Sequence, residues 1–506
     1  MDFNWNILQN GSDIRGVAVE GVKDEDVNLT FDVVKKLASS FVEWLKQNNI
    51  ATSPVIAVGT DSRISGNNLK NAFILGITEM GYTAIDCNMA STPAMFMSTQ
   101  LPETDADAGV MITASHLPYN RNGLKFFTKK GGLDKADISS ILNIAENHNF
   151  KYNNNKGQQK TFNLIDAYSN WLVKQIQTKT DEKKPLKEFK IIVDAGNGAG
   201  GFFAEKVLQR LGVNTLGSQF LEPDGYFPNH VPNPENKEAM ESICKAVTNN
   251  KADLGIIFDT DVDRSAIVDN NGNPINRNDL VAVASAIILK EHPGSTIVTD
   301  SITSKGLTEF IEKELGGKHH RFKRGYKNVI NEAIRLNNEG EKAWLAIETS
   351  GHAALKENYF LDDGAFLAAK ILIEIANLKK NNKTISDLIK NLKRPKESKE
   401  FRIKITANDF KNYGNTIIEE LTKFSNEQNN WEIVTPNYEG IRVNCNADNE
   451  KGWFLLRLSL HDPVLPLNIE SDIDNGVENI AQKLIAFFKQ FEDIKLPDNI
   501  LPDFKN

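Results

Sequence analysis

Residues 109–127 read GVMITASHLPYNRNGLKFF, a short apolar run followed by a polar loop. Residues 110–112 are apolar, as in a buried strand, and the run ends abruptly at Thr113. Turn-forming residues then follow until an extended pattern resumes at residues 124–127. The stretch therefore predicts a buried strand that carries a polar loop at its end.

Three side chains in or next to this loop could take part in catalysis or binding, namely Ser115, His116 and Lys125. A serine beside two potential cations suggests a hydroxyl that carries or meets an anion, because each cation would stabilise the negative charge there. Serine and histidine are also ordinary turn residues, so a β-hairpin with a polar tip is the alternative.

The composition is that of a soluble globular protein. The 506 residues suggest three or four domains, and 40% are hydrophobic while 25% are charged. No stretch has the length of apolar sequence that a membrane span needs, and the start has no signal-peptide pattern. Three widely spaced cysteines provide no disulfide framework, which favours the cytoplasm. The net charge of −8 argues against nucleic acid as a partner.

Strand and helix patterns alternate in the first 150 residues. A helical pattern at residues 31–45 precedes an apolar run at 54–59, which ends in the polar turn of residues 60–63. Arg15 lies between Gly11 and Gly16, a setting in which a guanidinium and backbone N–H groups could meet an anion, although a surface turn is equally compatible.

A second α/β pattern starts with an apolar run that enters a glycine-rich turn. Gly196, Gly198 and Gly201 match the spacing of a dinucleotide-binding turn, with Glu222 where a ribose partner could lie. A nicotinamide dehydrogenase is therefore one hypothesis. A tight turn from strand to helix needs glycines in any case.

The apolar run at residues 254–258 leads directly into Asp259, Asp261 and Asp263, followed by Arg264. Three carboxylates on alternate residues repel one another, and a hard cation with oxygen ligands relieves that repulsion. An EF-hand is excluded because its sixth position here is Arg264 and its twelfth is Asn270. Magnesium fits better, and a solvated acidic turn with arginine as counter-charge is the alternative.

Two further patterns could bind polar ligands, although the first is weak on its own. Glu348 and Ser350 follow a strand pattern two residues apart and could hold neighbouring hydroxyls, while Arg457 and Ser459 near a later strand end could hold a phosphate. Polar, basic runs near Lys379 and Lys393 resemble a linker before the last 110 residues.

Together these loops resemble the α-D-phosphohexomutase family. The phosphoserine loop of that family resembles residues 113–118 with Lys125, its magnesium loop resembles residues 259–264, and its sugar loop resembles residues 348–352. Arg457 and Ser459 match its phosphate loop more loosely. Four loops occur in the family's order across nearly the whole chain. The resemblance implies that the turn at residues 196–201 is structural.

The resemblance implies a heart-shaped α/β enzyme of four domains around one cleft. Three doubly wound α/β domains would carry the phosphoserine, metal and sugar loops, and a C-terminal α+β domain would carry the phosphate loop. The expected boundaries are residues 1–155, 156–270, 271–392 and 393–506.

The implied activity interconverts hexose 1-phosphate and hexose 6-phosphate, of glucose, mannose or both, through a phosphoserine at Ser115 and a hexose 1,6-bisphosphate intermediate. That bisphosphate would also serve as activator, and the partner would be a small sugar phosphate, bound by a monomer or weak dimer. Mg2+ would be held by Ser115, Asp259, Asp261 and Asp263. Proton handling and charge stabilisation are expected from His116, Lys125, Arg15 and Arg264. Substrate binding is expected from Lys327, Glu348, Ser350, His352, Arg457, Ser459 and His461.

One position departs from the family pattern. Leu460 and His461 follow Ser459 where the family has glycine or asparagine and then threonine, which keeps a non-catalytic sugar-phosphate-binding protein as an alternative. The Ser-Gly-His end of the sugar loop resembles glucose and mannose mutases more than phosphoglucosamine or N-acetylglucosamine-phosphate mutases. A histidine at 461 could still hold the distal phosphate, more strongly when protonated.

Overall fold

The computed structural model describes residues 3–153, 156–459 and 462–500. The chain divides into two compact units, Met1–Ile287 with Ser350–Leu388, and Ile288–Thr349 with Ile389–Asn506. Within the described ranges, none of the helices combines the length and the apolar content that a membrane crossing requires.

The first unit contains a sheet in the order β1-β2-β6-β5-β3-β4-β8, with β7 paired to β6. Its strands are β1 (Gln9–Asn10), β2 (Asp13–Val17), β3 (Val55–Thr60), β4 (Thr83–Met89), β5 (Ala108–Ile112), β6 (Arg121–Thr128), β7 (Gly131–Gly132) and β8 (Gln159–Thr161). Its helices are α1 (Phe31–Gln47), α2 (Gly66–Glu79), α3 (Thr92–Met97), α4 (Lys135–Asn147) and α5 (Leu164–Thr180), and Trp5–Leu8 is a 3-10 turn.

The central strands of this sheet bring two loops to one edge. β3 pairs in parallel with β5, with Thr60 opposite Ile112, so the segments that follow both strands leave the same edge of the sheet. The Thr30 hydroxyl caps α1 by accepting a hydrogen bond from the Val33 amide. The buried face of α1 packs on the sheet, where the Phe41 ring lies 4.8 Å from that of Phe126. The predicted strand and loop at residues 109–127 are confirmed.

A second sheet of the first unit has the order β12-β11-β10-β9. β9 and β10 are parallel, and the segments after both strands lie at the same edge. The helical stretch after the glycine-rich turn consists of a π-helical segment, Phe203–Leu208, and a 3-10 turn, Gln209–Leu211. The elements are β9 (Ile191–Asp194), α6 (Lys237–Asn250), β10 (Leu254–Phe258), β11 (Ser265–Asp269), β12 (Pro274–Ile275) and α7 (Arg277–Glu291), the last of which ends in the second unit.

In the second unit, β13 (Thr296–Thr299) pairs in parallel with β14 (Lys318–Arg321) and with β15 (Ala343–Ile347). The connecting helices are α8 (Lys305–Glu309), continued by the π-helical segment Phe310–Glu314, and α9 (Tyr326–Asn338). The first unit adds the antiparallel pair β16 (Ala353–Leu355) and β17 (Leu361–Asp362), the 3-10 turn Lys356–Asn358, and α10 (Gly364–Lys379).

The C-terminal part of the second unit is an antiparallel sheet of the order β19-β20-β21-β22-β18-β23 with two helices. It confirms the predicted fold class, α/β layers followed by an α+β domain. The elements are β18 (Glu397–Ile405), α11 (Phe410–Asn426), β19 (Trp431–Ile433), β20 (Ile441–Cys445), β21 (Gly452–Leu456), β22 (Val464–Ser471), α12 (Gly476–Phe488) and β23 (Ile494–Lys495), after a 3-10 turn at Ile385–Ile389 in the connection.

Candidate active site

Ser115 lies in the loop that follows β5. Its backbone φ is +52°, in the left-handed region, and its hydroxyl is 3.4 Å from a carboxylate oxygen of Asp259 and 3.3 Å from Nδ1 of His116. His116 is exposed as a residue, but partial desolvation of its imidazole, together with the charges of Arg264 and Arg15, lowers the pKa of His116 to about 3. The imidazole is therefore neutral at neutral pH.

The loop after β10 carries the three aspartates predicted to bind a cation. Asp259, Asp261 and Asp263 are buried, and an oxygen of each lies within 4.8 Å of an oxygen of the others. Burial and the charge of Asp263 raise the pKa of Asp259, because adjacent carboxylates in a dry site resist joint ionisation. One oxygen of Asp261 and one of Asp263 accept no hydrogen bond from any described residue. These buried oxygens fit a hard cation.

Two of the predicted cations bind the aspartate loop directly. Lys125 on β6 pairs with Asp263 and lies 3.1 Å from Asp261, and Arg264 donates from Nε to Asp259 at 3.0 Å. Burial works against ionisation, yet the positive charges around Asp263 hold the pKa of that carboxyl well below its usual range. Arg264 thus acts as a counter-charge of the loop, as one of the two sequence hypotheses expected.

Arg15 reaches the start of the Ser115 loop from β2. Its Nη1 donates to the Thr113 carbonyl at 2.6 Å, and its Nη2 pairs with Asp13 at 2.7 Å. Arg15 lies opposite Gly123 of β6, the strand that follows the serine loop, so its guanidinium is beside that loop.

His352 belongs to the same cluster and is paired with a carboxylate. Its Nδ1 lies 2.6 Å from Asp362 and 3.9 Å from Asp263. Burial alone would lower the pKa of His352, but the charges of Asp362 and Asp263 raise it to about 9. His352 is consequently an imidazolium next to the aspartate loop.

The second unit contains four of the predicted binding residues, Lys327, Glu348, Arg457 and Ser459. Glu348 accepts a hydrogen bond from the Gly325 amide at 2.6 Å, immediately before α9, whose first turn contains the half-buried Lys327. Arg457 lies 3.8 Å from Glu439. The Ser459 hydroxyl accepts a hydrogen bond from the Asp462 amide.

The other predicted binding residues are Ser350 and His461. Ser350 is buried and follows Glu348 by two residues, and it is the residue at which the chain returns to the first unit. Leu460 and His461, the residues that depart from the family pattern, lie outside the described residues.

Sequence reasoning gave no role to several residues that contact these loops. In the first unit, the Thr92 amide donates to the Asp261 carbonyl at 2.8 Å, and Asp61 and Arg63 contact the Ser115 loop. In the second unit, Glu439 accepts hydrogen bonds from the Ser301 hydroxyl at 2.5 Å and the Arg324 amide at 3.1 Å. The signal for Asp61 and Arg63 was available, because a polar turn after β3 must lie beside the loop after the parallel strand β5.

The glycine-rich turn after β9 uses its backbone amides internally. Gly196 donates to the Asp194 carboxylate, Asn197 to the Phe220 carbonyl, Gly198 to the Ala195 carbonyl and Ala199 to the Thr260 carbonyl. The Glu222 side chain, the expected ribose partner, is exposed. A pyrophosphate needs amides that point towards it, and these four already have partners within the protein.

Comparisons with known proteins agree with this geometry. Three family models match in succession, those of phosphoglucomutase/phosphomannomutase alpha/beta/alpha domain I at residues 6–155, domain II at residues 166–272 and domain III at residues 276–395. Together they cover well over half of the chain.

Full-length relatives give the same result. A phosphomannomutase/phosphoglucomutase of Pseudomonas syringae is 32% identical over 96% of both chains, and a phosphoglucomutase of Neisseria gonorrhoeae is 30% identical over 94% of this chain and 95% of its own. A crystal structure of a phosphoglucomutase/phosphomannomutase family protein from Burkholderia thailandensis superposes with a TM-score of 0.80 at 25% identity, covering 98% of this chain and all of that one.

Proposed function

This chain belongs to the α-D-phosphohexomutase family, and from that premise we propose that it transfers phosphate between C1 and C6 of glucose, mannose or both. Ser115 would carry the phosphoryl group, and a hexose 1,6-bisphosphate would form as intermediate and serve as activator. The observation that carries the proposal is the 3.4 Å separation between the Ser115 hydroxyl and Asp259. This separation supports the proposal because a candidate nucleophile then lies beside buried carboxylates suited to a divalent cation.

The aspartate loop fits Mg2+ because two of its buried carboxylate oxygens accept no hydrogen bond from any described residue, and each aspartate has an oxygen within 4.8 Å of the others. Asp259, Asp261 and Asp263 would hold the ion together with Ser115. When bound, Mg2+ offsets the charge that develops on phosphoryl oxygens during transfer.

The side chains around Ser115 have complementary roles in this proposal. Arg15 and Arg264 supply fixed positive charge beside the phosphoryl group. His116, whose lowered pKa makes it neutral and a weak base, is suited to accept a hydrogen bond from the Ser115 hydroxyl. Lys125 and the cationic His352 are suited to donate hydrogen bonds or protons. In this proposal, neutral and cationic groups from separate segments of the first unit act around a single hydroxyl.

Sugar and distal phosphate would be bound by the other predicted residues. Glu348 and Ser350 would accept and donate hydrogen bonds to sugar hydroxyls, and Lys327, Arg457 and Ser459 would contact the phosphate that is not reacting. His461 would join that contact. The expected domain boundaries, the monomeric or weakly dimeric state and the cytoplasmic location belong to the same proposal.

Purified protein should be assayed with glucose 1-phosphate, mannose 1-phosphate and glucosamine 1-phosphate, each with catalytic glucose 1,6-bisphosphate and Mg2+. The proposal expects turnover of the first, the second or both, and an intact mass that includes one phosphoryl group at Ser115. Binding of sugar phosphates without turnover would instead indicate a non-catalytic binding protein, and turnover of glucosamine 1-phosphate alone would indicate an amino-sugar mutase.

A further inference from the structure

We propose that Arg63, in the turn after β3, is a positioning residue for phosphoryl transfer, because it fixes the backbone of the Ser115 loop. The inference rests on the proposed role of Ser115 as phosphoryl carrier. Arg63 does not contact the reacting atoms. It acts through the main chain on either side of the serine.

The guanidinium of Arg63 uses both Nη atoms on this loop. Nη1 donates to the carbonyls of Pro118 at 2.7 Å and Arg121 at 3.0 Å, and Nη2 donates to the carbonyls of Leu117 at 2.6 Å and Ser115. Four carbonyls of one loop therefore converge on a single planar cation. Hydrogen bonds from a charged donor are stronger than neutral ones, so the loop has one strongly preferred path.

The other side of Arg63 continues the network to the amide of the serine. Nε lies 3.3 Å from Asp61, which accepts a hydrogen bond from the Thr113 hydroxyl at 2.6 Å, and the same hydroxyl accepts one from the Ser115 amide at 2.9 Å. Ser115 is thus held at both its N–H and its C=O. Its left-handed backbone, unfavourable for serine, needs such support from outside the loop.

Burial makes the arrangement rigid. Arg63 is only 2% exposed, and the ring of Phe227 covers the guanidinium at 5.3 Å. Gly225 approaches the same turn so closely that a Cβ there would lie 2.4 Å from the Ile64 amide nitrogen. Water therefore has little access to compete for the loop carbonyls.

A lysine cannot replace this function, because an ammonium has three donors in a tetrahedral array instead of a planar fork. Arg63→Lys should lower kcat about a hundredfold, the effect of a displacement of roughly 1 Å at a reacting group, while KM for glucose 1-phosphate changes less than about threefold. Hydrogen exchange should increase at residues 115–121 and remain unchanged in the rest of the sheet.

Lys70→Gln is the matched control. Lys70 forms a buried ion pair with Asp86 at 2.6 Å in the same unit, and within the described part of the chain it has no hydrogen bond to the Ser115 loop. This variant should lose stability yet keep the wild-type kcat. An equal loss of kcat in the Lys70 and Arg63 variants would overturn the inference, because the loss would then follow stability alone.

Thr113→Val tests the same network when Arg63→Lys does not yield folded protein. It removes the hydroxyl that links Asp61 to the Ser115 amide, and kcat should fall at least about tenfold with KM nearly constant. Wild-type kcat in a folded Arg63→Lys protein, or in Thr113→Val when the first variant does not fold, overturns the inference but leaves the phosphoserine proposal intact. Absence of mutase activity in the wild-type protein would instead remove the proposed function itself.

Discussion

The Ser115 loop and the turn at residues 196–201 both follow a parallel strand, yet their backbones are used in opposite ways. In the Ser115 loop, carbonyls accept hydrogen bonds from the side chain of Arg63, and the serine hydroxyl faces Asp259. In the glycine-rich turn, the amides donate to neighbouring carbonyls and to the Asp194 carboxylate. The first loop directs a side chain towards other residues, whereas the amides of the second are used for hydrogen bonds that keep the turn tight.

The difference shows what a glycine pattern can indicate. A Cβ on Gly198 would lie 2.6 Å from the Thr260 carbonyl oxygen, inside the aspartate loop, and one on Gly201 would lie 2.3 Å from the Leu221 carbonyl oxygen. These glycines permit close packing against the neighbouring segments. The spacing of glycines therefore reports the path of the backbone, whereas an anion site also requires amides that are not already paired.

The largest expected effect distinguishes the two loops by chemistry. Ser115→Ala should lower kcat by at least about a thousandfold, as removal of a nucleophile does, while the thermal midpoint stays close to that of the wild type. The added phosphoryl mass should disappear in mass spectrometry. Asn197→Ala in the glycine-rich turn is the matched control and should retain kcat. A Ser115→Ala protein with wild-type turnover would contradict the assignment of the carrier.

A second substitution tests the cation site that faces the serine. Asp261→Asn should raise the Mg2+ concentration for half-maximal rate about tenfold or more, because even indirect support of a metal ligand commonly contributes that much affinity. Titration of activity with Mg2+ after EDTA treatment measures the effect. Full activity of the wild-type protein in excess EDTA would show that the aspartate loop does not bind a required metal.

A third substitution asks whether the glycine-rich turn supports the aspartate loop. Gly198→Ala should destabilise the protein by about 1–3 kcal/mol, since the new methyl group overlaps backbone atoms of Thr260. Chemical denaturation measures the free energy of unfolding, and the Mg2+ requirement should rise in parallel. Tight binding of NAD(H) by the wild-type protein would contradict a purely structural turn.

The smallest expected effect concerns the pH dependence of stability next to that turn, where His230 pairs with Asp194 at the end of β9. Burial alone would lower the pKa of His230, but its hydrogen bond to Asp194 at 3.0 Å and the charge of that carboxylate raise it. The stabilisation by this pair is therefore complete below the pKa of His230 in the unfolded protein, about 6.5. It is lost as the pH rises through the higher pKa in the folded protein. The difference in unfolding free energy between wild type and His230→Gln should shrink over that range. A constant difference would show that the pair is not charged.

The sequence predicted the segments in which an apolar run ends abruptly in chemically distinctive side chains. Ser115 and the three aspartates were found this way, because the run of apolar residues stops and polar side chains begin at the end of a buried strand. His352 was predicted only through the family resemblance, and its pairing with Asp362 brings together two residues ten positions apart. The family and the fold class followed from the order of the loops.

The role of Arg63 could not be predicted in the same way. Its partners are backbone carbonyls, which every residue has, so no residue type in the loop reports the contact. Glu439 illustrates a related difficulty, since its partners Ser301 and Arg324 are more than 100 residues away and meet it only in the folded second unit. Long-range contacts of this kind leave no periodic signal in the chain.

The hydrogen-bond partners of Arg63 have a consequence for biosynthesis. Asp61 and all four carbonyls occur before residue 122, whereas Asp259 follows 138 residues after Arg121. At roughly 5–20 residues per second, a ribosome needs about 7–28 s to reach that aspartate. During this interval the synthesised chain already contains every residue whose hydrogen bonds link Arg63 to the serine loop, but not the aspartate that faces the serine hydroxyl. The order of translation therefore makes the partners of Arg63 available before Asp259.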